Sequence, residues 1–394
     1  MERLKYLSDI DVKGKRVLIA LDIPSIGNLG KDSYEAQRLK QSFSSVSQLL
    51  KDGASVVILP HSRAKVADNP LSLAQSIRSF SSLLGSDISF FPNLGNPDND
   101  QAIKTIKPGQ VAMLENLFMF PGEESNDPSF AVYLSQFGEI FVNDAFESSA
   151  MPYASMQNLP SLFQVKAAGL NIENEYKAFE ALIFKTKRPL LCIFGGLKFS
   201  SKIDLMFSLA QRADKMIITG GLANTFLAAQ GLQVGRSVFE KDLIGRALEL
   251  LGILARRDCK VYLPVDFIVA PSLGAAAFAR PVPSLEIPAD TMALDIGPAS
   301  IALFQEVIKY SDSTFWYGSA GASETEEFSK GSQSIVEAVS ASTGYKVACG
   351  KSVERAIAEL ELSHKFDLIS SSSSSFTVLC QGRTLSGLRA LSEK

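Results

Sequence analysis

The sequence predicts an α/β protein of two domains, each a parallel sheet flanked by helices, joined by a connecting helix. Three observations predict it. Short β-branched or apolar runs recur along the 394 residues, each closed by Gly, Pro, Asp, Asn or Ser and followed by a longer helix-like segment. The runs are near-continuous in apolar character, which suits strands covered by helices on both faces. The length, at roughly 100–200 residues per domain, asks for two or three cores rather than one.

In the first half, strands are expected at Val17–Leu21, Val56–Leu59, Ile88–Phe91, Val111–Leu114 and Ile140–Asn143. In the second half they are expected at Leu190–Phe194, Met216–Thr219, Val261–Pro264, Ala293–Ile296, Thr314–Tyr317, Val347–Cys349 and Leu368–Ser370. The spacings favour βαβ crossovers over hairpins, so two parallel sheets are expected, with ligands at the C-terminal ends of their strands. Between the halves, Leu162–Phe184 carries a polar helical pattern, NIENEYKAFEALIF, with no strand signal, and reads as the connecting helix. The six consecutive serines Ser370–Ser375 leave two readings open, a disordered linker or a loop inside the domain; apolar residues on both sides favour the loop.

Composition narrows the function. Lys plus Arg is 39 against 42 for Asp plus Glu, a net charge of -3, so no basic excess exists to bind nucleic acid. No stretch reaches ~18 uncharged apolar residues and the start has no secretory pattern, so a soluble cytoplasmic chain without a membrane partner is expected. Cys192, Cys259, Cys349 and Cys380 lie far apart and read as core thiols rather than a disulfide framework or zinc site. With only His61 and His364, a Ser-His-Asp triad or an H-E-x-x-H zinc site has few routes open, and hydrolase readings drop.

Two glycine motifs point to anion chemistry. Cys349-Gly350-Lys351-Ser352 follows a strand and opens a helix, but the P-loop spacing fails: Tyr345 stands where a glycine is required, with Gly344 one residue off. A helix N-terminal anion site and a structural turn both remain open there. Gly195-Gly196 after one strand and Gly220-Gly221 after the next let backbone approach a ligand. Lys198 and Lys202, four apart, are expected to share one helical face and point two ammonium groups at it; a solvated face is the alternative. No G-x-G-x-x-G follows the first strand of either half, so a nicotinamide dehydrogenase loses its main support.

The segments MLENLFMFPGEESNDPSFA, VNDAF, FGGLKFSSKI, TGGLANTFLAAQG, LPVDFIVA, ALDIGP and FWYGSAG, in this order over the whole length, resemble the phosphoglycerate kinase family. The resemblance implies a monomeric, two-domain Rossmann-like kinase of glycolysis. Its N-terminal domain binds 3-phosphoglycerate or 1,3-bisphosphoglycerate, its C-terminal domain binds ATP or ADP with Mg²⁺, and hinge closure unites them. It implies domains at 1–165 and 185–380, a connecting helix at 166–184, and a tail at 381–394 that returns to the N-terminal domain, where Leu385–Leu391 resembles the family's tail.

Residue by residue, the resemblance carries over in part. On the substrate side Asp22, Arg38 and His61 match, and Arg63 replaces a family arginine only if its loop shifts by one residue. On the nucleotide side Gly195, Gly196, Lys198, Lys202, Gly220, Gly221, Leu294, Gly318 and Glu324 match, with Gly350, Lys351 and Ser352 at a further nucleotide position. Arg38, Lys198 and Lys202 are the implied catalytic cations, and Glu324 the ribose-binding carboxylate. Each has a bland alternative: Asp22 a helix cap, His61 a satisfied loop histidine, Lys198 a solvated lysine.

The family pattern is broken elsewhere. Pro24 stands for an Asn, Phe118 and Met151 for two arginines, and Ala150 for a His; Tyr317 replaces the Asn of W-N-G-P. Ser372–Ser374 replace a glycine loop, and Lys351 stands where G-G-D-T supplies a metal carboxylate, so no metal ligand is expected and Mg²⁺ is not provided for. Two readings follow. One is a degenerate member with weak or no catalysis, a pseudoenzyme serving a protein partner or sensing nucleotide; the other is an active kinase with relocated ligands such as Arg63 or Glu147.

Overall fold

The computed structural model describes residues 4–24, 34–370 and 372–392. The chain divides into two compact units, one formed by residues up to Tyr176 together with those from Arg383 onward, the other by Lys177–Gly382. The division falls within one helix, Leu170–Ile183.

In the first unit, β1 (Arg16–Asp22), β2 (Ser55–His61), β5 (Ile88–Phe91), β6 (Val111–Leu114), β7 (Ile140–Asn143) and β8 (Lys166–Ala168) form a parallel sheet in the order β5-β6-β2-β1-β7-β8. A small antiparallel pair, β3 (Lys65–Val66) and β4 (Asn69–Pro70), projects after β2. Five consecutive residues of β1 and all seven of β2 are buried, as an apolar run covered on both faces must be. One face packs Val17, Ile19, Leu21, Val56 and Ile58 against Phe43, Phe80 and Leu39. Strand β8 corrects the expectation of uninterrupted helix over Leu162–Phe184. Its three residues, two of them alanine, carry too little β-propensity to announce a strand, and pairing with β7 decides it. The helix after it starts where partners exist: Ser45 Oγ accepts the Leu170 N–H at 2.8 Å, and Asp144 Oδ1 accepts those of Asn171 and Ile172 at 2.8 and 3.1 Å.

In the second unit, β9 (Leu190–Phe194), β10 (Lys215–Ile218), β11 (Lys260–Tyr262), β15 (Ser313–Tyr317), β16 (Tyr345–Cys349) and β17 (Leu368–Ser370) form a parallel sheet ordered β11-β10-β9-β15-β16-β17. Its core joins Ile193, Trp316 and Ala348 to Phe304, Val336 and Ile357 of the covering helices. A third sheet was not anticipated: β12 (Asp266–Ala270), β13 (Arg280–Pro283) and β14 (Met292–Ile296) pair antiparallel in the order β13-β12-β14. Ala293–Ile296 therefore belongs to this sheet, not to the parallel one. The strand expected at Val261–Pro264 spans Lys260–Tyr262 instead, and Leu263, Pro264 and Val265 separate β11 from β12, which lie in different sheets. The serine run is also corrected: Ser372 is the N-cap and Ser373–Cys380 a helix, so the serines open a helix rather than filling a loop; Ser371 lies outside the described residues. The four cysteines are free, three buried and Cys380 half-buried. Among the described residues no helix is long and apolar enough to cross a membrane.

The terminal helix Ser386–Leu391 packs in the first unit, burying Leu385, Leu388 and Leu391. It approaches so closely that a Cβ on Gly387 would lie 2.6 Å from Ser149 Oγ and 2.7 Å from Asn143 Nδ2. Gly387→Val is therefore expected to undock this helix. Limited trypsinolysis checks it: cleavage at Arg383 and Arg389 should become much faster than in the wild type, while the rest of the chain keeps its resistance.

Candidate functional site

In the first unit, the chain turns from β6 to β7 across the sheet, and the crevice beside β1 and β7 is the switch point at which open α/β sheets bind ligands. Register places Asp22, at the end of β1, beside His61, at the end of β2. Asp22 spans the crevice: its carboxylate accepts the Glu147 N–H at 2.6 Å, the Ser148 hydroxyl at 2.6 Å and the Ser148 N–H at 3.3 Å. Burial pushes its pKa up, opposed by Ser148 and His61. The bonding is that of a cap, which fixes the turn after β7.

His61 is turned inward. Its Nε2 lies 2.9 Å from both Glu123 Oε1 and Ser155 Oγ, while Nδ1 is buried without a partner among the described residues. Phe118 packs edge-on against His61 and Tyr153, with centroids 5.4 and 5.3 Å away. Arg63 lies over the Phe118 ring at 5.3 Å, donates to Tyr153 Oη at 3.2 Å, and pairs with Glu147 at 3.3 Å through a half-exposed contact. Arg38 sits half-buried on the helix Tyr34–Ser42, and Met151 is exposed. Sequence reasoning missed Tyr153 and Ser155 and quoted Glu123 without a role. It quoted Glu115 and Asn116 without a role; Asn116 Oδ1 accepts the Ser62 N–H at 3.0 Å and Glu115 accepts the Leu73 N–H at 2.9 Å, so they shape the loop carrying Arg63.

The second unit has its switch point between β9 and β15, and there the backbones nearly touch. The N–H of Gly195 donates to Tyr317 O at 2.9 Å, and that of Gly196 to Ser319 O at 2.6 Å. A Cβ on Gly195 would meet Ser319 O at 2.2 Å, and Gly318, at φ +92°, has a conformation that side-chain-bearing residues rarely adopt. Trp316, fully buried, clamps this turn by donating from Nε1 to Gly318 O at 2.8 Å. Gly220 and Gly221 open the helix Gly220–Ala229 against the same turn, and Leu222 N–H donates to Gly196 O at 3.0 Å.

Lys198 and Lys202 do not share a helical face, contrary to the spacing argument. Both precede the helix Ile203–Ala210, Lys202 as its N-cap, because the chain must clear the glycine turn before a helix can begin. Lys198 is exposed. Lys202 is buried, its Nζ 4.5 Å above the Tyr317 ring centroid and 3.4 Å from Ser201 Oγ, and burial lowers its pKa. Tyr317 packs against Gly350, whose Cβ would lie 2.9 Å from ring atom Cε2. Gly350, at φ +97°, caps the helix Lys351–Glu359; Lys351 is exposed and Ser352 half-buried. At the next helix, Ser372 Oγ accepts the Ser375 N–H at 3.3 Å.

A cavity of about 290 Å³ opens beside the glycine turn, lined by Gly196, Gly220 and Gly221, by Leu294 and Phe267 of the antiparallel sheet, and by Glu324 at the exposed edge. Thus the structure brings together Gly196, Gly220, Gly221, Leu294 and Glu324 from the sequence-predicted set. Gly318 and Lys202 adjoin Gly196, a Cβ on which would lie 4.0 Å from Gly318 Cα and 3.1 Å from Lys202 Nζ, while Gly350 packs on Tyr317. Asp295, also lining the cavity, accepts the Gly331 N–H at 2.8 Å, and burial pushes its pKa up to about 7. Among the described residues no group of three His, Cys, Asp or Glu side chains is placed to hold a metal ion, and Lys351 is exposed at the start of its helix.

Two units, each built on a parallel sheet with a switch point beside its central strand, make a two-domain α/β protein. The phosphoglycerate kinase family profile matches residues 7–383. Phosphoglycerate kinases of Zymomonas mobilis and Aquifex aeolicus are 34% and 33% identical to the chain, the first covering 98% of it and 99% of the relative, the second 100% of both. The structure of phosphoglycerate kinase from Coxiella burnetii superposes with a TM-score of 0.85 at 26% identity, over 99% of each chain. That from Pyrococcus horikoshii shares the fold at 24% identity, TM-score 0.86, over 98% of each. The chain belongs to the phosphoglycerate kinase family.

Two outcomes are expected. Gly195→Ala should destabilise the second unit by about 2 kcal/mol or more, since the methyl meets backbone that cannot yield; denaturant titration measures it. Asp295 has a folded pKa above its unfolded one, so between about pH 4 and about 7 the folded state binds more protons and stability falls as pH rises. Thermal melts of wild type and Asp295→Asn should show that slope in the wild type and a flatter profile in the variant.

Proposed function

We propose that this member of the family is degenerate, with weak or no phosphotransfer, and that its second unit retains a nucleotide pocket. One observation carries the reading: an aromatic ring stands at each strand-end face where the family places a polar or cationic group. Phe118 is wedged between His61 and Tyr153, and Tyr317 lies beneath Lys202 and against Gly350. Phosphoryl transfer depends almost wholly on positioning and charge stabilisation. A charge-assisted hydrogen bond contributes about 1.5–3 kcal/mol, so Phe118 and Met151 in place of two arginines weaken the grip on 3-phosphoglycerate by roughly 3–6 kcal/mol.

In this reading Asp22, Arg38, His61 and Arg63 are the remnant of the substrate side. Gly195, Gly196, Gly220, Gly221, Leu294, Gly318 and Glu324 belong to the nucleotide side together with Gly350, Lys351 and Ser352, and Lys198 and Lys202 are its phosphate-facing cations. The protein acts as a cytoplasmic monomer that senses nucleotide or binds a protein partner. A second reading, an active kinase with relocated ligands, is favoured by one contact: the Arg63–Glu147 pair is half-exposed and costs little to open, leaving Arg63 to take a phosphate.

A coupled kinase assay with ATP and 3-phosphoglycerate separates them. Turnover near background is expected, and calorimetry should show no 3-phosphoglycerate binding below millimolar concentration; robust turnover abolished by Arg63→Ala would establish the second reading. Lys351→Asp alone should restore less than tenfold in kcat/KM, because Tyr317, Phe118 and Met151 act on the same transition state and repairs of one unit are non-additive.

A further inference from the structure

We propose that Arg63 and Glu147 form an autoinhibitory clasp across the crevice of the first unit, in which the Glu147 carboxylate is an internal oxyanion that a ligand's own oxyanion must displace from Arg63. The inference rests on the reading of Arg63 as part of the substrate side and adds a device that restrains it. Arg63 lies just beyond the end of β2, and Glu147 just beyond the end of β7. In the sheet β1 lies between those two strands, so at ~4.8 Å per strand they are about 10 Å apart. The side chains close that span, Arg63 Nε lying 3.3 Å from Glu147 Oε1. They therefore bridge the end of β1, where Asp22 stands, at the switch point where open α/β sheets take ligands.

Both arms are fixed at the backbone and half-exposed at the tip. The Glu147 N–H donates to Asp22 Oδ2 at 2.6 Å, and the Ser148 hydroxyl donates to Asp22 Oδ1 at 2.6 Å. On the other side Asn116 holds both backbone groups of Ser62, its Oδ1 accepting the N–H at 3.0 Å and its Nδ2 donating to the carbonyl at 2.9 Å. The paired side chains are 48% and 39% exposed, so the clasp opens by rotation of side chains while the sheet stays still. Arg63 also has supports that do not depend on Glu147. Its guanidinium carbon lies 5.3 Å over the Phe118 ring centroid, and a terminal nitrogen donates to Tyr153 Oη at 3.2 Å. With Tyr153 on one nitrogen and Glu147 on Nε, an incoming oxyanion gains the Nε donor only by displacing the carboxylate. An exposed pair of this kind restrains binding by up to roughly fivefold, a brake that a ligand can release.

The test titrates the full-length wild type, Glu147→Gln, Glu147→Ala, Arg63→Ala and the double variant Arg63→Ala/Glu147→Gln with inorganic phosphate, glycerate and 3-phosphoglycerate. Calorimetry and the ligand-induced rise in Tm give the affinities, and circular dichroism checks the fold. Both Glu147 variants should bind 3-phosphoglycerate roughly threefold or more tighter than the wild type, and that gain should vanish in the Arg63→Ala background. A parallel gain with inorganic phosphate alone makes the displacing group a phosphate, and one with glycerate alone makes it a carboxylate; either supports the clasp. Affinity of Glu147→Gln within twofold of the wild type would overturn it, and if Arg63→Ala still weakens binding, the substrate-side reading of Arg63 stands. A gain that persists without Arg63 is general removal of charge and overturns the clasp as well. Absence of binding by every variant at tens of millimolar overturns both the clasp and that reading. Should Glu147→Ala fail to fold, Glu147→Gln, which keeps the backbone bond to Asp22, decides alone.

Discussion

Between the C-terminal ends of β9 and β15 the backbones pass closer than any side chain permits, with Gly195 and Gly196 donating to the carbonyls of Tyr317 and Ser319. Much of the second unit follows from that contact. Trp316 is buried beneath the turn and tied to Gly318 O, the helix Gly220–Ala229 begins against it, and the cavity opens where the two strands part. A parallel sheet places every strand's C-terminal end on one edge, so the close approach that joins the strands also builds a surface at which backbone N–H groups from several turns can converge.

The same constraint separates what a substitution does to the fold from what it does to chemistry. Residues at strand ends face the crevice and contribute little to the cores formed by Ile193, Trp316 and Phe304 or by Ile19, Ile58 and Phe80. Phe118, in the turn after β6, packs its ring against Tyr153 and His61. What it alters is the local field. Lys202 rests on the Tyr317 ring and His61 is buried on Glu123.

In the first unit the corresponding element is Asp22. Its carboxylate organises the turn that follows β7, and its bonds to Glu147 and Ser148 are satisfied within the protein. A residue of this kind holds a crevice open whether or not a ligand enters it.

The sequence by itself determined the βα rhythm, the central strands and the family, because apolar runs covered on both faces and glycine turns leave a local signature that does not depend on distant partners. Ile88–Phe91, Val111–Leu114, Ile140–Asn143 and Leu190–Phe194 were legible to the residue. Tertiary structure alone decided the short strand Lys166–Ala168, which exists only by pairing with β7, and the separate antiparallel sheet of β12, β13 and β14. It also decided where side chains point. Spacing put Lys198 and Lys202 on one helical face, yet the glycine turn delays the helix until Ile203 and sends one lysine to solvent and the other onto Tyr317. His61 was recognisable as a residue but not as the partner of Glu123 and Ser155, which lie 62 and 94 positions away. Contacts that distant in sequence have no local period, so only the folded chain can specify them.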